Sequence, residues 1–141
     1  MLYKKLDSVS ASVVSDLQAL LAQLASVPRI FVDGDMERML AQPGYYCIIA
    51  CDGERIIGTA SIGIIEMPMG KKAIIEDVVV LDAYRGQGIG KELTLKLIEV
   101  AKKEGVLYID LTSNPSREAA NALYQKLGFD KRETNVYRLT L

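Results

Sequence analysis

Histidine is missing from this sequence altogether. Zinc sites built on imidazole, and every mechanism with an imidazole base, are therefore excluded. Cysteine is almost as scarce, with only Cys47 and Cys51, in the run CIIAC. Their C-x3-C spacing does not match a redox C-x-x-C pair, and inside an apparent strand they read as small buried hydrophobes rather than a disulfide or metal clip. Charge of one sign is not in excess either, since 17 Lys and Arg face 18 Asp and Glu. No overall field favours nucleic acid or an anionic membrane. Long apolar runs are absent, the longest being of strand length, and no basic-plus-apolar leader is visible. The expectation is a cytoplasmic protein with no nucleic-acid or membrane partner. Repeats and low-complexity linkers are also absent, and 141 residues suffice for one domain, 1–141, with a real core.

Hydrophobic periodicity organises the chain. The opening LYKKL alternates weakly, as an edge strand does. Val13, Leu17, Leu20, Leu21 and Leu24 fall at helical spacing and predict a helix over 12–24. A shorter helix is expected over 35–41, before Pro43-Gly44. The period then shortens to two. Residues 45–51 and 56–65 are β-rich runs separated by Asp52-Gly53-Glu54-Arg55, a hairpin signal. Residues 66–72 read as a loop or wide turn, 73–81 as a strand, and 87 or 88 to 104 as a helix with Ile89, Leu93, Leu97 and Val100 on one face. A strand over 106–112, a helix over 116–127 and a last strand over 136–141 complete the order. The fold class is α+β, or mixed α/β, around a central sheet.

The most informative stretch is VVVLDAYRGQGIGKELTLKLI, where an apolar strand runs into glycines and then directly into an amphipathic helix. Such a junction presents free N–H groups at the positive end of a helix, and glycines let a phosphate approach the backbone. Arg85 and Lys91 add charge. A Walker A loop would need Gly where Arg85 stands, and a dinucleotide fingerprint would need Gly where Lys91 stands.

What does fit is Arg-x-x-Gly-x-Gly, from Arg85 through Gly86, Gln87, Gly88 and Ile89 to Gly90. This resembles the coenzyme A signature of the GNAT acetyltransferase superfamily. ANALYQKLGF, 120–129, looks like the second hallmark of that family, a helix carrying Tyr before a Gly-Phe pair. IEDVVV followed by YRGQGIGK is similar to the glucosamine-6-phosphate acetyltransferase branch. The resemblance spans essentially the whole chain. It implies a mainly antiparallel sheet flanked by helices, splayed between two central strands, with acetyl-CoA in the splay. The backbone of Val78, Val79 and Val80 would then pair with the pantetheine arm, and Gly86 to Lys91 would hold the pyrophosphate.

The reaction so implied is attack of a neutral amine on a thioester, with no metal. It requires a proton acceptor, oxyanion donors and an acid near the departing thiolate. Tyr124 matches the thiolate-side tyrosine of the family. Without histidine the base is a carboxylate, a water relay or a substrate that arrives neutral. Glu76 and Asp77 are two acids within an otherwise apolar strand. Alternation places them on opposite faces, and Glu76 is the preferred base, because burial near the thioester would raise its pKa. Many family members carry Asn seven residues before the tyrosine, where it contacts the CoA arm; here Arg117 stands there, so the resemblance implies either that Asn114 or Asn121 substitutes in binding the cosubstrate or that Arg117 itself reaches a phosphate. TSNPSREAAN, 112–121, also has a plain reading in which Ser116 starts the helix and the polar residues cap it, an alternative to recognition. Asn135 and Tyr137 lie where the last strands of the family line the acceptor cleft or exchange between subunits, so a homodimer is an alternative to substrate contact.

Three functions follow from the resemblance: an acetyltransferase acting on a small amine, the same chemistry on a protein N-terminus or lysine, and a CoA-binding sensor without turnover. The first is preferred.

Overall fold

The computed structural model describes every residue from Met1 to Leu141. Its first elements are strand β1 (Leu2–Lys5), helices α1 (Ala11–Leu24) and α2 (Asp35–Leu40), and strands β2 (Tyr45–Asp52), β3 (Arg55–Met67) and β4 (Gly70–Val80). Helix α3 (Ile89–Lys103), strand β5 (Tyr108–Asp110) and helix α4 (Glu118–Lys126) follow. The sheet order is β1-β2-β3-β4-β5, antiparallel throughout except for the parallel pair β4 and β5. The chain forms two compact units, Met1–Leu111 and Thr112–Leu141, each described by itself.

In the first unit, β2 and β3 are near-continuous apolar runs because both faces of the sheet are covered. Cys47 to Cys51 and Ile56 to Ile62 are buried without alternation. Helix α3 covers one face through Ile89, Leu93, Leu97 and Ala101, spaced four apart and all buried. A Cβ on Gly58 of β3 would lie 3.2 Å from Leu93 Cδ1 and 3.3 Å from Ile89 Cγ2, so α3 rests directly on strand backbone there. Strand partners share a face, so Thr59 and Ser61 point to the opposite side, together with Ile49 and Cys47. Helix α1 packs on β3 and β4, and α2 on β2. Asp16 of α1 accepts the Ile56 backbone N–H at 2.9 Å, tying the helix to the start of β3. Leu97→Ala should remove about 2–5 kcal/mol of stability, measured by denaturant unfolding, because its completely buried side chain would leave a cavity.

Several expectations need correction. The loop expected over 66–72 is only a tight turn at Pro68-Met69, since β3 runs to Met67 and β4 begins at Gly70. Gly70 adopts φ 115°, which lets the hairpin close so tightly. The strand expected over 106–112 shrinks to Tyr108–Asp110, the three residues in register with Lys72–Ile74. In the second unit, the helix expected from Ser116 starts at Glu118. Asn114 Oδ1 accepts from the Ser116 N–H at 2.9 Å and its hydroxyl at 2.8 Å, holding those residues in a turn. The strand expected over 136–141 does not form, and residues 130–141 are all exposed. β propensity alone makes no strand, and nothing within that unit offers a ladder.

Cys47 and Cys51 are free and buried. Four residues apart along a strand, their backbones stand about 13 Å from one another, too far for a disulfide. No helix is long and apolar enough to cross a membrane.

Candidate active site

The site begins where β4 stops. After Val80 the chain makes a single 3-10 turn, Asp82–Tyr84, and then crosses Arg85 to Gly88 into α3. Gly86 and Gly88 adopt φ 77° and 80°, the left-handed region that favours glycine. A Cβ at either glycine would meet open space. Gly88 is the N-cap of α3 and has no side chain to cap it, so the amides of the first turn face outward at the positive end of a 15-residue helix. Ile89 is buried against Gly58 and anchors that turn. Lys91 is exposed, as are Gln87 and Arg85. The Arg85 guanidinium pairs with Asp82 at 2.7 Å, and its Nε donates to the Val80 carbonyl at 3.4 Å. Arg85 is thus held beside the glycines.

Beside this cradle lies an open strand edge. β4 pairs with β3 along most of its length, whereas its ladder with β5 covers only Lys72, Ala73 and Ile74. From Ile75 to Val80 the other edge of β4 stands outside the ladder, which is the geometry that accepts an extended ligand as an added strand. Val79 is buried, and Val78 and Val80 are half-buried.

Asp77 interrupts β4. Ser61 pairs with Glu76 and Thr59 with Val79, so Asp77 and Val78 together oppose Ala60 in a β-bulge. Asp77 takes φ 54°, the one positive φ outside glycine, which aspartate tolerates better than most residues. Glu76 is exposed. Asp77 also reaches the surface, yet burial of its carboxyl pushes its pKa up. The strict alternation expected for the two acids is broken by the bulge, and it is exposed Glu76, the expected base, that pairs across the ladder with Ser61, while the Asp77 carboxyl is the one whose pKa burial raises.

In the second unit, Tyr124 sits on α4 with its ring edge-to-face against Phe129, centroids 5.9 Å apart. Burial pushes its phenol up, with the Arg117 guanidinium partly offsetting. Arg117 is the N-cap residue of α4. The Asn121 amide donates to the carbonyls of Asn114 and Arg117, both at 2.9 Å, so Asn114 and Asn121 build the turn into α4. Asn135 Nδ2 and the Tyr137 hydroxyl are 3.5 Å apart on an exposed stretch.

Sequence reasoning missed four residues of the first unit. Gly58 sets the depth of α3, and glycine inside the β-run IIGTASIGII was the available signal. Tyr45, Ser61 and Gly63 share the sheet face of Thr59, and no motif marks them. Tyr45 and Ser61 join their hydroxyls at 2.8 Å.

A strand edge left free just before a glycine cradle, itself opening a helix, defines a domain suited to an extended ligand that ends in phosphate. The model of the Acetyltransferase (GNAT) family matches residues 17–129, and the chain belongs to that family of acetyltransferases. Among its relatives, the glucosamine 6-phosphate N-acetyltransferase of Trypanosoma brucei brucei is 40% identical over 85 residues, 58% of this chain and 56% of that protein. N-alpha-acetyltransferase RimI of Mycobacterium tuberculosis is 31% identical over 94 residues, 67% of this chain and 58% of that protein. The chain spans about half the length of the curated relatives it matches. The crystal structure of a Trypanosoma brucei acetyltransferase superposes with a TM-score of 0.81 at 30% identity, covering 99% of this chain and 98% of that one.

Proposed function

We propose that this chain is an acetyl-CoA-dependent N-acetyltransferase that acylates a primary amine of a small molecule. The observation that carries the reading is the continuity of the open β4 edge, Ile75 to Val80, with the Gly86 and Gly88 cradle at the start of α3. The match to the family model runs from residue 17 to 129, which supports treating both units as one domain.

Acetyl-CoA fits this arrangement, because side chains at Gly86 and Gly88 would fill the open space beside the helix amides. The backbone of Val78, Val79 and Val80 would hold its pantetheine arm, and Gly86 to Lys91, with Arg85, its pyrophosphate. When bound, it supplies an acyl thioester. Asp77 serves as the proton acceptor for the incoming ammonium, its raised pKa bringing it closer to neutrality than an ordinary aspartate. Exposed Glu76 adds negative charge that favours a cationic amine. Tyr124, whose phenol is neutral at physiological pH and is pushed further up by burial, is by the family resemblance the donor to the departing sulfur.

Tyr124→Phe should lower kcat about tenfold while acetyl-CoA affinity holds, since a CoA thiolate leaves readily even without a donor. Equal losses of stability and activity would assign the residue to packing against Phe129 instead.

A protein N-terminus is the second reading, favoured by the similarity to an N-alpha-acetyltransferase. Calorimetric titration with acetyl-CoA, followed by thiol release over a panel of small amines and peptides, tests both. Release with small amines alone supports the proposal; release with peptides alone assigns the second reading; failure to bind acetyl-CoA overturns both.

A further inference from the structure

The sheet face opposite α3 carries polar side chains that the cosubstrate does not need. Cys47 and Thr59, both buried, meet at 3.3 Å between Sγ and Oγ1, and Thr59 also donates to the Ile48 carbonyl at 3.3 Å. Next along the same face comes Ser61, 4% exposed, whose hydroxyl is 2.8 Å from that of half-buried Tyr45. Burial pushes the Tyr45 phenol up to about 12, so it remains a neutral hydroxyl. Two hydroxyls bonded to one another leave one proton and several lone pairs, shared here with the neighbouring Cys47 thiol and, on half-buried Tyr45, within reach of a ligand. The row therefore runs from a closed polar interior to a hydroxyl pair able to bind something else.

Gly63 lies one step further. It pairs with Tyr45 on one side and Ile74 on the other, while Ser61 pairs with Glu76. A Cβ on Gly63 would meet nothing within 4 Å, and its φ is not in the positive range. The glycine is needed neither for backbone conformation nor for close approach of another element. What it does provide is an open floor bounded by the Tyr45 and Ser61 hydroxyls, by Ile74 and by Glu76, one residue from the Asp77 bulge.

Resting on the transferase reading above, we propose that this floor seats the acceptor: Gly63 sets the size of the amine admitted, and the Tyr45–Ser61 pair binds a polar group beside its nitrogen. The acceptor is then a compact primary amine, unbranched where it crosses Gly63 and bearing a hydrogen-bonding substituent within reach of Tyr45. Glu76 and Asp77 supply the anionic side of the seat for its ammonium. Ser61 is the positioning residue, since it is buried and acts through the Tyr45 hydroxyl.

The test uses the full chain and the best amine from the thiol-release panel. Gly63→Val should fold with unchanged thermal stability and bind acetyl-CoA as before, while KM for the amine rises at least about tenfold. Gly63→Ala should produce a smaller rise, giving an order by side-chain size. Tyr45→Phe should raise KM for amines bearing the polar group severalfold and leave amines lacking it unaffected. Ser61→Ala should do the same more weakly. An unchanged amine KM in Gly63→Val and Tyr45→Phe, with acetyl-CoA turnover intact, overturns this assignment alone. Failure of the unaltered chain to bind acetyl-CoA or release thiol with any amine overturns the transferase reading and this one with it.

Discussion

Asp77→Asn is expected to lower kcat/KM about 10²- to 10⁴-fold, the range a positioned general base contributes, with acetyl-CoA affinity unchanged. Asparagine has the same shape and also tolerates the φ of 54° at the bulge, so the variant removes the charge without disturbing the strand. The pH dependence should follow. With its pKa raised by burial, Asp77 places the acid limb of the rate profile above the ordinary aspartate range, and the variant should lack that limb. Stability responds in the opposite direction. A carboxyl whose folded pKa lies above its unfolded value stabilises the fold fully below the unfolded value, and that contribution disappears as pH rises through the folded value. At neutral pH the ionised, partly desolvated carboxylate therefore counts against folding, and Asn should match or exceed the parent. Unfolding at pH 7 and pH 3 checks this: the advantage of the variant should vanish at the lower pH. A variant that retains full activity, with its acid limb in place, would take the base role from Asp77.

Gly88→Glu should reduce acetyl-CoA affinity at least about 100-fold. At φ 80° the new Cβ points into open space beside the first turn of α3, so the side chain has room in the fold. That room is where a phosphate would approach, and the added carboxylate would compete for the same amides while repelling the ligand. The strain of a non-glycine residue at positive φ costs about 1 kcal/mol, a modest shift in denaturant midpoint. Gly88→Ala carries the same backbone strain without the charge and separates the two effects. Calorimetry is the direct measurement, and equal affinities for parent and Gly88→Glu would move the pyrophosphate away from this turn.

The parts of the molecule legible in the sequence were those governed by local pattern. Leu17 and Leu20 of α1, and Leu93 and Leu97 of α3, are buried where their spacing placed them, and Asp52 to Arg55 closes the expected hairpin. The strand, glycine turn and helix from Val78 to Lys103 could also be recognised, because conformation and ligand chemistry there demand the same residues. What escaped was whatever depends on pairing. The Asp77 bulge is a mismatch in count between two strands, invisible until Ser61 and Thr59 are set against Glu76 and Val79. It breaks the strict alternation expected of Glu76 and Asp77. The strand expected over 136–141 failed for a related reason, since its β-prone residues announce a propensity and not a partner. Tyr45, Ser61 and Gly63 lie on different strands or perform no chemistry alone, so only their register gathers them.

Helix α3 is held at both ends. Ile89 and Leu93 press on bare strand at Gly58, while at the far end the Tyr46 hydroxyl donates to the Glu104 carboxylate at 2.6 Å and Lys71 Nζ to the Glu104 carbonyl at 3.2 Å. A helix clamped in this manner has little ordering left to undergo when a ligand arrives, so the entropy lost in shaping the cradle belongs to folding rather than to association. Hydrogen exchange at the amides from Glu92 to Val100 should accordingly be slow before any ligand is added, and acetyl-CoA should slow it further only through the global stability it contributes.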